Sequence, residues 1–115
     1  MAPMADLSDV PNAPPEAEEI LRVLLAATAA GDYAAYLSPG TDLFKEGVSR
    51  EMFEGVSAQV AARLKSGYAL EYLAQMGNCE HRVLLWKLTF ADGGEDYVAR
   101  LVLTDENEVA GFMLN

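Results

Sequence analysis

The chain has little cysteine, little histidine and little positive charge, and each shortage argues against a class of protein. A single cysteine, Cys79, cannot form an intramolecular disulfide, so we predict no disulfide framework and a reducing, cytoplasmic location. Only 8 lysine and arginine residues oppose 18 acids, and the net charge of -10 repels phosphate backbones and anionic lipid head groups. We therefore expect neither nucleic acid nor a membrane among the partners.

Long apolar runs are also missing from the chain. No stretch of 18 apolar residues could span a bilayer, and the acidic, interrupted start from Met1 to Val10 is not typical of a signal peptide. With 115 residues, of which 51% are hydrophobic, the chain has material for one core and not for two. Because prolines interrupt the start, we predict a flexible N-terminal arm over residues 1–14 and a single domain over residues 15–115.

Apolar residues at helical spacing, bounded by capping residues and glycines, predict three helices in the first part of the chain. A proline in the first turn and an aspartate or serine cap are typical of helix starts. The predicted elements are a helix from Pro15 to Gly31, a short helix capped by Asp32, and a helix from Ser49 to Gly67. Residues 41–48 are predicted to form a connection, with Leu43 and Phe44 turned inward.

After Gly67 the hydrophobic period changes to two, which predicts strands for the rest of the chain. Helices followed by strands indicate an α+β fold, with three helices packed on one face of a curved antiparallel meander of four or more strands. Gly93 and Gly94 predict a two-residue hairpin, and that turn sets a register in which Trp86 lies opposite Leu101. The predicted strands are Tyr68 to Met76, His81 to Phe90, Glu95 to Thr104 and Val109 to Leu114.

One face of the predicted sheet carries aromatic side chains that point toward the helices. Tyrosine and tryptophan combine apolar area with a polar edge, so these residues are candidates for lining a pocket that binds a small apolar or aromatic ligand. Packing into the core is the alternative explanation for the same residues. The candidates are Tyr68, Tyr72, Trp86 and Tyr97.

The opposite face of the sheet is too apolar for a purely solvated surface. A contiguous apolar patch on a chain of this size is typical of an association surface, so we predict a homodimer built on it. The hairpin register places Lys87 opposite Arg100, which is repulsive unless Glu71 lies beside Lys87. The candidate interface residues are Leu73, Val83, Leu85, Lys87, Val98, Arg100, Val102 and Met113.

Few residues could carry chemistry. His81 is the only histidine, and with Cys79 it supplies two of the three or four ligands that a zinc site needs. The same pair lacks a third group that would orient the imidazole for nucleophilic catalysis. We therefore predict no metal site, no cofactor and no catalytic residue.

Segment 30–36, Ala-Gly-Asp-Tyr-Ala-Ala-Tyr, resembles the opening of the nuclear transport factor 2-like, or cystatin-like, superfamily. The later segments 85–90, 92–94 and 109–112 resemble the meander of small bacterial members whose role is undefined. The resemblance covers residues 16–115 and implies a cystatin-like fold. The superfamily's usual extra strand between the short helix and the long one is not evident in residues 37–48.

Enzymes of this superfamily, such as ketosteroid isomerase and SnoaL-like cyclases, project acids or histidine from the concave sheet face into a pocket. On that face the present sequence places aromatic and aliphatic residues and no carboxylate. The sequence therefore favours a non-catalytic, homodimeric module that binds a small ligand or a protein partner. A pocket enzyme is the alternative, with Asp96 or Glu71 as its acid.

Overall fold

The computed structural model describes residues 13–78 and 80–115, and residues 1–12 of the arm predicted over residues 1–14 lie outside them. In the described residues, four helices precede four strands. The helices are α1 (Pro15–Ala30), α2 (Tyr33–Leu37), α3 (Asp42–Gly47) and α4 (Arg50–Lys65). The strands are β1 (Tyr68–Asn78), β2 (His81–Phe90), β3 (Tyr97–Thr104) and β4 (Val109–Leu114). The α+β fold class, with helices against a four-stranded antiparallel sheet, is confirmed.

Side chains and a glycine set the helix boundaries. The carboxylate of Asp32 accepts a hydrogen bond from the first turn of α2, and the Ser49 hydroxyl does the same for α4. At the end of α1, Gly31 adopts a φ of 69° and donates its N–H to carbonyls of the last turn. Both the caps and this stop agree with the sequence prediction. Among the described residues, no helix is long and apolar enough to cross a membrane.

Helix α3 stands where the sequence predicted a connection. The Thr41 hydroxyl accepts a hydrogen bond from the Phe44 N–H, 3.1 Å away, so a short helix is capped in that segment. Phe44 is buried, as expected. The prediction that Leu43 turns inward is wrong, because one turn of helix directs adjacent residues to different sides and leaves Leu43 81% exposed.

The sheet is a meander with strand order β1-β2-β3-β4. The hairpin between β2 and β3 is longer than predicted, and Trp86 pairs with Ala99 rather than with Leu101. The register is shifted by two residues, so each side chain keeps its predicted face. The loop is long because Arg63 of α4 holds it through the Asp92 carboxylate and the Glu95 carbonyl, a tertiary contact that the local glycine pattern does not contain.

An irregularity in β1 changes the face of its second half. The pairing with β2 shifts between Tyr72 and Ala74, so Met76 pairs with Val83 on the outer side. Strict alternation from Tyr68 and Tyr72 predicts Met76 on the core face, and this prediction is wrong, because the shift turns Met76 outward and leaves its side chain half exposed. The turn at Glu106 and Asn107 predicts that Phe112 of β4 pairs with Leu101 of β3, and this pairing is confirmed.

The core lies between the helices and the inner face of the sheet. Trp86 is fully buried at its centre, and its indole N–H has no hydrogen-bond partner within the described residues. Aliphatic side chains from β2 and β3 surround it together with one face of α1 and α4. The fully inaccessible members include Leu21, Leu24, Leu84, Leu88, Leu101 and Leu103.

Candidate functional site

A cavity of about 170 Å³ opens between α4 and β4. Two side chains of α4, Met52 and Val56, lie at its mouth and are 61% and 45% exposed. Helices α1 and α2 supply the deeper wall, and the end of β4 supplies the opposite one. The full lining is Thr28, Tyr36, Val48, Met52, Phe53, Val56, Phe112, Met113 and Leu114.

Three aromatic rings shape the inner end of this cavity. The Tyr36 ring centre lies 4.8 Å from that of Phe53 and 6.2 Å from that of Phe112, the second pair in an edge-on arrangement. Tilted and edge-on rings at these separations attract one another beyond the area they bury. The wall is therefore held in place by its own contacts and does not need a ligand to form.

Polar groups are scarce in the lining, and carboxylate, imidazole, lysine and arginine side chains are absent from it. The Thr28 hydroxyl donates to the Leu24 carbonyl 2.8 Å away, and the Thr28 carbonyl accepts from the Ser57 hydroxyl at 2.7 Å. The Tyr36 hydroxyl makes no hydrogen bond within residues 13–78 and 80–115. Burial raises the pKa of Tyr36 to about 12, so this phenol stays neutral and is a donor at ordinary pH.

The four aromatic residues predicted to line a pocket are placed elsewhere. The Trp86 indole fills the core, and the Tyr72 ring packs 5.5 Å from it. The Tyr97 ring stands edge-on to Phe90 at 5.4 Å, and Tyr68 is packed against the core from the start of β1. None of the four belongs to the cavity lining, which adjoins β4, and Tyr68 and Tyr72 lie on β1 at the opposite edge of the sheet.

Sequence reasoning missed Tyr36, Phe53 and Met52 as lining residues. The sequence signal for this wall lies in α2, where Tyr33 and Tyr36 stand three residues apart and therefore share one side of the helix. Tyr33 packs against Phe53 at 5.6 Å and donates its hydroxyl proton to the Val48 carbonyl. Such pairs show which helix face turns toward α4, but not that a space remains beside it.

The predicted dimer residues lie on the outer face of the sheet, with unequal exposure. Val83 is buried there, and Leu85 and Val102 are half-buried. The exposed apolar members are Leu73, Val98 and Met113 at 45%, 38% and 52%.

The charged pair on this face differs from the prediction. Lys87 lies opposite Val98 rather than Arg100, because the longer hairpin shifts the register. The Lys87 ammonium stands 3.9 Å from a Glu71 oxygen and 3.8 Å from an Asp96 oxygen. The repulsion that the sequence predicted is therefore absent. Both acids suspected for an enzyme face this lysine on the solvent side of the sheet, away from the cavity lining.

His81, the only histidine of the chain, stands at the start of β2. His81 lies beside a shallow surface depression with Glu80 and the β3-β4 turn, and Cys79 lies outside the described residues. Within the part of the chain that the structure describes, no group of three or more histidine, cysteine or acidic side chains could hold a metal ion. We assign no function to this depression.

An ionic clamp closes the opposite end of α4. The Arg63 guanidinium binds the Asp92 carboxylate through Nε at 2.8 Å and covers the Phe90 ring, with 4.0 Å from its carbon to the ring centre. The hydrogen bond from Arg63, with one from the Gly94 N–H, holds the pKa of Asp92 below its ordinary range. This clamp fixes the β2-β3 loop and has no contact with the cavity lining.

The chain matches no protein-family model and no curated protein. Among solved structures, it is similar to an uncharacterized cystatin fold protein from Novosphingobium aromaticivorans. The two chains are 20% identical, the match covers 84% of this chain and 95% of that chain, and the TM-score is 0.42.

Proposed function

We propose that the chain is a non-catalytic binding module whose α4-β4 cavity takes one small, neutral, apolar or aromatic ligand. The observation that carries this proposal is the lining itself, which is open to solvent at Met52 and Val56 and, among the described residues, holds no carboxylate, imidazole, thiol, lysine or arginine. General acid or base catalysis is most effective when the pKa of the catalytic group lies near the working pH. The two hydroxyl groups of the lining do not meet this condition, because burial raises the pKa of Tyr36 to about 12 and the Thr28 hydroxyl donates to the Leu24 carbonyl.

The volume sets the size of the ligand. Pockets for drug-sized molecules enclose roughly 300–1,000 Å³, whereas an engineered apolar cavity of about 150 Å³ binds benzene. At about 170 Å³, the present cavity fits one ring or a short aliphatic chain. The aromatic wall around Tyr36 supplies faces and edges against which a ring can pack.

Charge further limits the class of ligand that the cavity can bind. A carboxylate or phosphate would lose its hydration in the cavity and find no cation there, which is costly in free energy. The net charge of -10 adds long-range repulsion against anions. The Tyr36 hydroxyl offers one hydrogen bond to a neutral acceptor, so a ring that carries a carbonyl or hydroxyl group fits better than a plain hydrocarbon.

The test uses thermal shift and proton-detected NMR with toluene, indole and benzaldehyde as probes. We expect all three to perturb Met52 and Phe112 signals, and benzaldehyde to lose more affinity than toluene in the Tyr36→Phe variant. Val56→Phe fills the mouth and should abolish binding. Val23→Phe is the matched control, because Val23 is a comparably exposed helical valine outside the lining. Absence of any shift with all three probes would contradict the small-ligand proposal.

We also propose that two copies associate through the outer face of the sheet. Exposed Leu73, Val98 and Met113 form its apolar part. Within the described residues Arg100 makes no ion pair, and a second copy of so acidic a chain brings carboxylates to it. This charge complementarity favours a second copy over a basic partner on that face.

Light scattering at micromolar concentration tests the dimer. We expect twice the chain mass, and an interface that buries more than about 1,000 Å² in total. Leu85→Glu should yield the monomer, whereas Val23→Glu, on α1, should not. A wild-type monomer, or a dimer that Leu85→Glu leaves intact, would contradict the outer-face assignment.

Membership of the nuclear transport factor 2-like superfamily and a cytoplasmic location are also parts of our proposal. The first is supported by segment 30–36, whose aspartate caps α2 as the resemblance implies. A role as a pocket enzyme has less support, because Glu71 and Asp96 both engage Lys87 outside the cavity.

A further inference from the structure

The last strand leaves part of one edge unpaired. Strand β4 is hydrogen-bonded to β3 on one side only. On the other side, Val109 is covered, since its N–H donates to the Pro39 carbonyl at 2.8 Å and its carbonyl accepts from the Thr41 N–H at 2.9 Å. Beyond Val109, no described segment continues this pairing.

The direction of the remaining main-chain groups follows from the ladder. Asn115 and Val98 exchange two hydrogen bonds, of 3.1 Å and 2.9 Å. Because alternate residues of an antiparallel strand bond to the same neighbour, Met113 also faces β3, and Phe112 and Leu114 direct their N–H and C=O groups to the free side. Within the described residues neither of these N–H groups makes a hydrogen bond.

Nothing in the composition of this edge protects it. Natural sheets protect edge strands with charges, prolines or bulges, because unpaired main-chain groups recruit other strands. Strand β4 has the sequence Val-Ala-Gly-Phe-Met-Leu, without charge or proline, and its register shift lies at Ala110, before the unpaired stretch at Phe112 and Leu114. Strand β1, the other edge, carries Glu71 and an irregularity at Tyr72 and Ala74.

A trough runs beside the free edge. Phe112 and Leu114 form one wall of the α4-β4 cavity, and Met52 and Val56 of α4 form the mouth. The same two α4 residues also line a wide, shallow groove that continues over the helix surface. That groove is completed by Ser49, Glu51, Gly55 and Gln59.

A glycine on the helix side has no role in the packing of the chain. Gly55 lies inside α4, where glycine lowers helix stability relative to alanine. A Cβ at this position would meet nothing within 4 Å, so no neighbour in the structure requires its absence. A missing side chain keeps the trough open to a main chain that approaches from outside.

We propose that an extended peptide segment of another protein adds to the sheet along β4. Its main chain pairs with Phe112 and Leu114, and one large apolar side chain enters the cavity, while a neighbouring lysine or arginine approaches Glu51. Main-chain pairing gives such additions their affinity, and the side-chain pocket gives them selectivity. The inference rests on the proposed function in one respect, since the anchoring side chain occupies the same cavity as the small ligand.

Charge decides among the possible occupants. The chain's own residues 1–12 include Asp6 and Asp9 and no basic residue, so they lack the group that Glu51 calls for. A second copy carries 18 acidic residues against 8 basic ones, so it suits Arg100 on the outer face better than Glu51 beside this trough. A peptide of another protein with a basic residue beside its apolar anchor can place the anchor in the cavity and the basic group near Glu51.

The test uses acetyl-Lys-Thr-Val-Phe-Val-Lys-amide as the probe, with binding followed by NMR on the full chain. N-methylation of alternate residues blocks the hydrogen bonds on one side of the peptide strand only. Of the two complementary N-methyl patterns, we expect one to weaken binding about tenfold and the other to leave it unchanged. Equal affinity for both patterns would overturn strand addition, because a side chain alone in the cavity does not distinguish them.

Protein variants locate the site. Glu51→Lys should weaken the probe, whereas Glu54→Lys, outside the lining on the same helix, should not. Gly55→Leu should weaken it too while raising or preserving the melting temperature. If Gly55→Leu and Glu51→Lys leave the affinity unchanged, the proposed trough is wrong.

The outcomes for the two proposals are separable. Binding of toluene without binding of the peptide would overturn strand addition and leave the small-ligand proposal standing. Binding of the peptide without binding of toluene would overturn the small-ligand proposal and leave strand addition standing. If light scattering shows that the peptide splits a dimer of the chain, a second copy covers β4, and the assignment to another protein is overturned.

Discussion

The two faces of the sheet differ in how completely the rest of the chain covers them. On the inner face, Trp86, Leu84 and Leu101 are wholly inaccessible within the core between the helices and the sheet. On the outer face, Val83 of β2 is buried, whereas Val98 of β3, opposite Lys87, is exposed. The centre of the inner face is covered by the chain itself, whereas the outer face combines covered and exposed apolar positions.

An apolar residue in a strand can therefore serve one of two roles, folding or association. Inside, apolar type and burial coincide, so the side chain contributes to the stability of the monomer. Outside, the same residue types divide into some that are covered by their neighbours and some that are open to solvent. Only measured stabilities can then tell which outer residues serve folding and which serve association.

The largest effect is expected at Trp86. Trp86→Ala removes the central side chain of the inner face and should cost about 3–5 kcal/mol of unfolding free energy, because the cavity cannot collapse fully. Urea denaturation followed by circular dichroism measures this. Trp86→Phe is the matched control: it keeps most of the volume and removes the unpaired N–H, so it should cost less. A loss equal to that of Trp86→Ala would show that volume is not the cause.

One substitution at two positions of the outer face sharpens the comparison. Val83→Ala should cost about 1.5–2 kcal/mol, because two methyl groups leave a buried site. Val98→Ala, at a position 38% exposed, should cost less than about 0.5 kcal/mol in the monomer. Both values come from urea unfolding in a Leu85→Glu background. Equal costs at the two positions would break the distinction between covered and open outer residues.

A smaller effect is expected at the clamp that ties the loop of the two central strands to α4. The Arg63 hydrogen bond lowers the pKa of Asp92 in the folded chain. Between the folded and unfolded pKa values, the folded state therefore binds fewer protons at Asp92 than the unfolded state does. The stabilisation is present above the ordinary pKa of 3.8 and is lost as the pH falls through the lower folded value. Melting temperatures on acidification should therefore fall less steeply for Asp92→Asn than for the wild type. Asp105→Asn, on an exposed turn, is the control and should keep the wild-type slope.

An effect confined to alkaline pH is expected at Tyr36. Burial raises the pKa of this phenol from 10.0 to about 12, so the unfolded chain ionises first. The contribution of Tyr36 to stability is complete below pH 10.0 and is lost between pH 10.0 and about 12. Tyr36→Phe should remove that part of the alkaline decline in unfolding free energy. An identical decline in the variant would show that Tyr36 titrates alike in both states.

The sequence predicted the fold well because its signals are local. Caps such as Asp32 and Ser49, and the period-two pattern of β2, lie within a few residues of the boundaries they set. The hairpin register was missed because it depends on Arg63, which is 29 residues from Asp92. Parity survived this error, so the predicted faces of β2 and β3 were correct.

The candidate site was predicted less well. A pattern of aromatic residues reports that rings face the helices, but whether they fill a core or border a space depends on how α2 and α4 pack. Tyr72 and Trp86 fill the core, whereas Tyr36 and Phe53 border the cavity. No composition rule separates these pairs, because the difference arises only from the fit between distant elements.

The buried indole has an optical consequence. Trp86 is the only tryptophan of the chain, so all indole fluorescence arises from one position at the centre of the core. Its N–H has no hydrogen-bond partner in the part of the chain that the structure describes, and its ring is shielded from water, two conditions that shift emission to short wavelength. The emission maximum and its resistance to acrylamide quenching therefore report directly on whether the helices remain seated on the sheet.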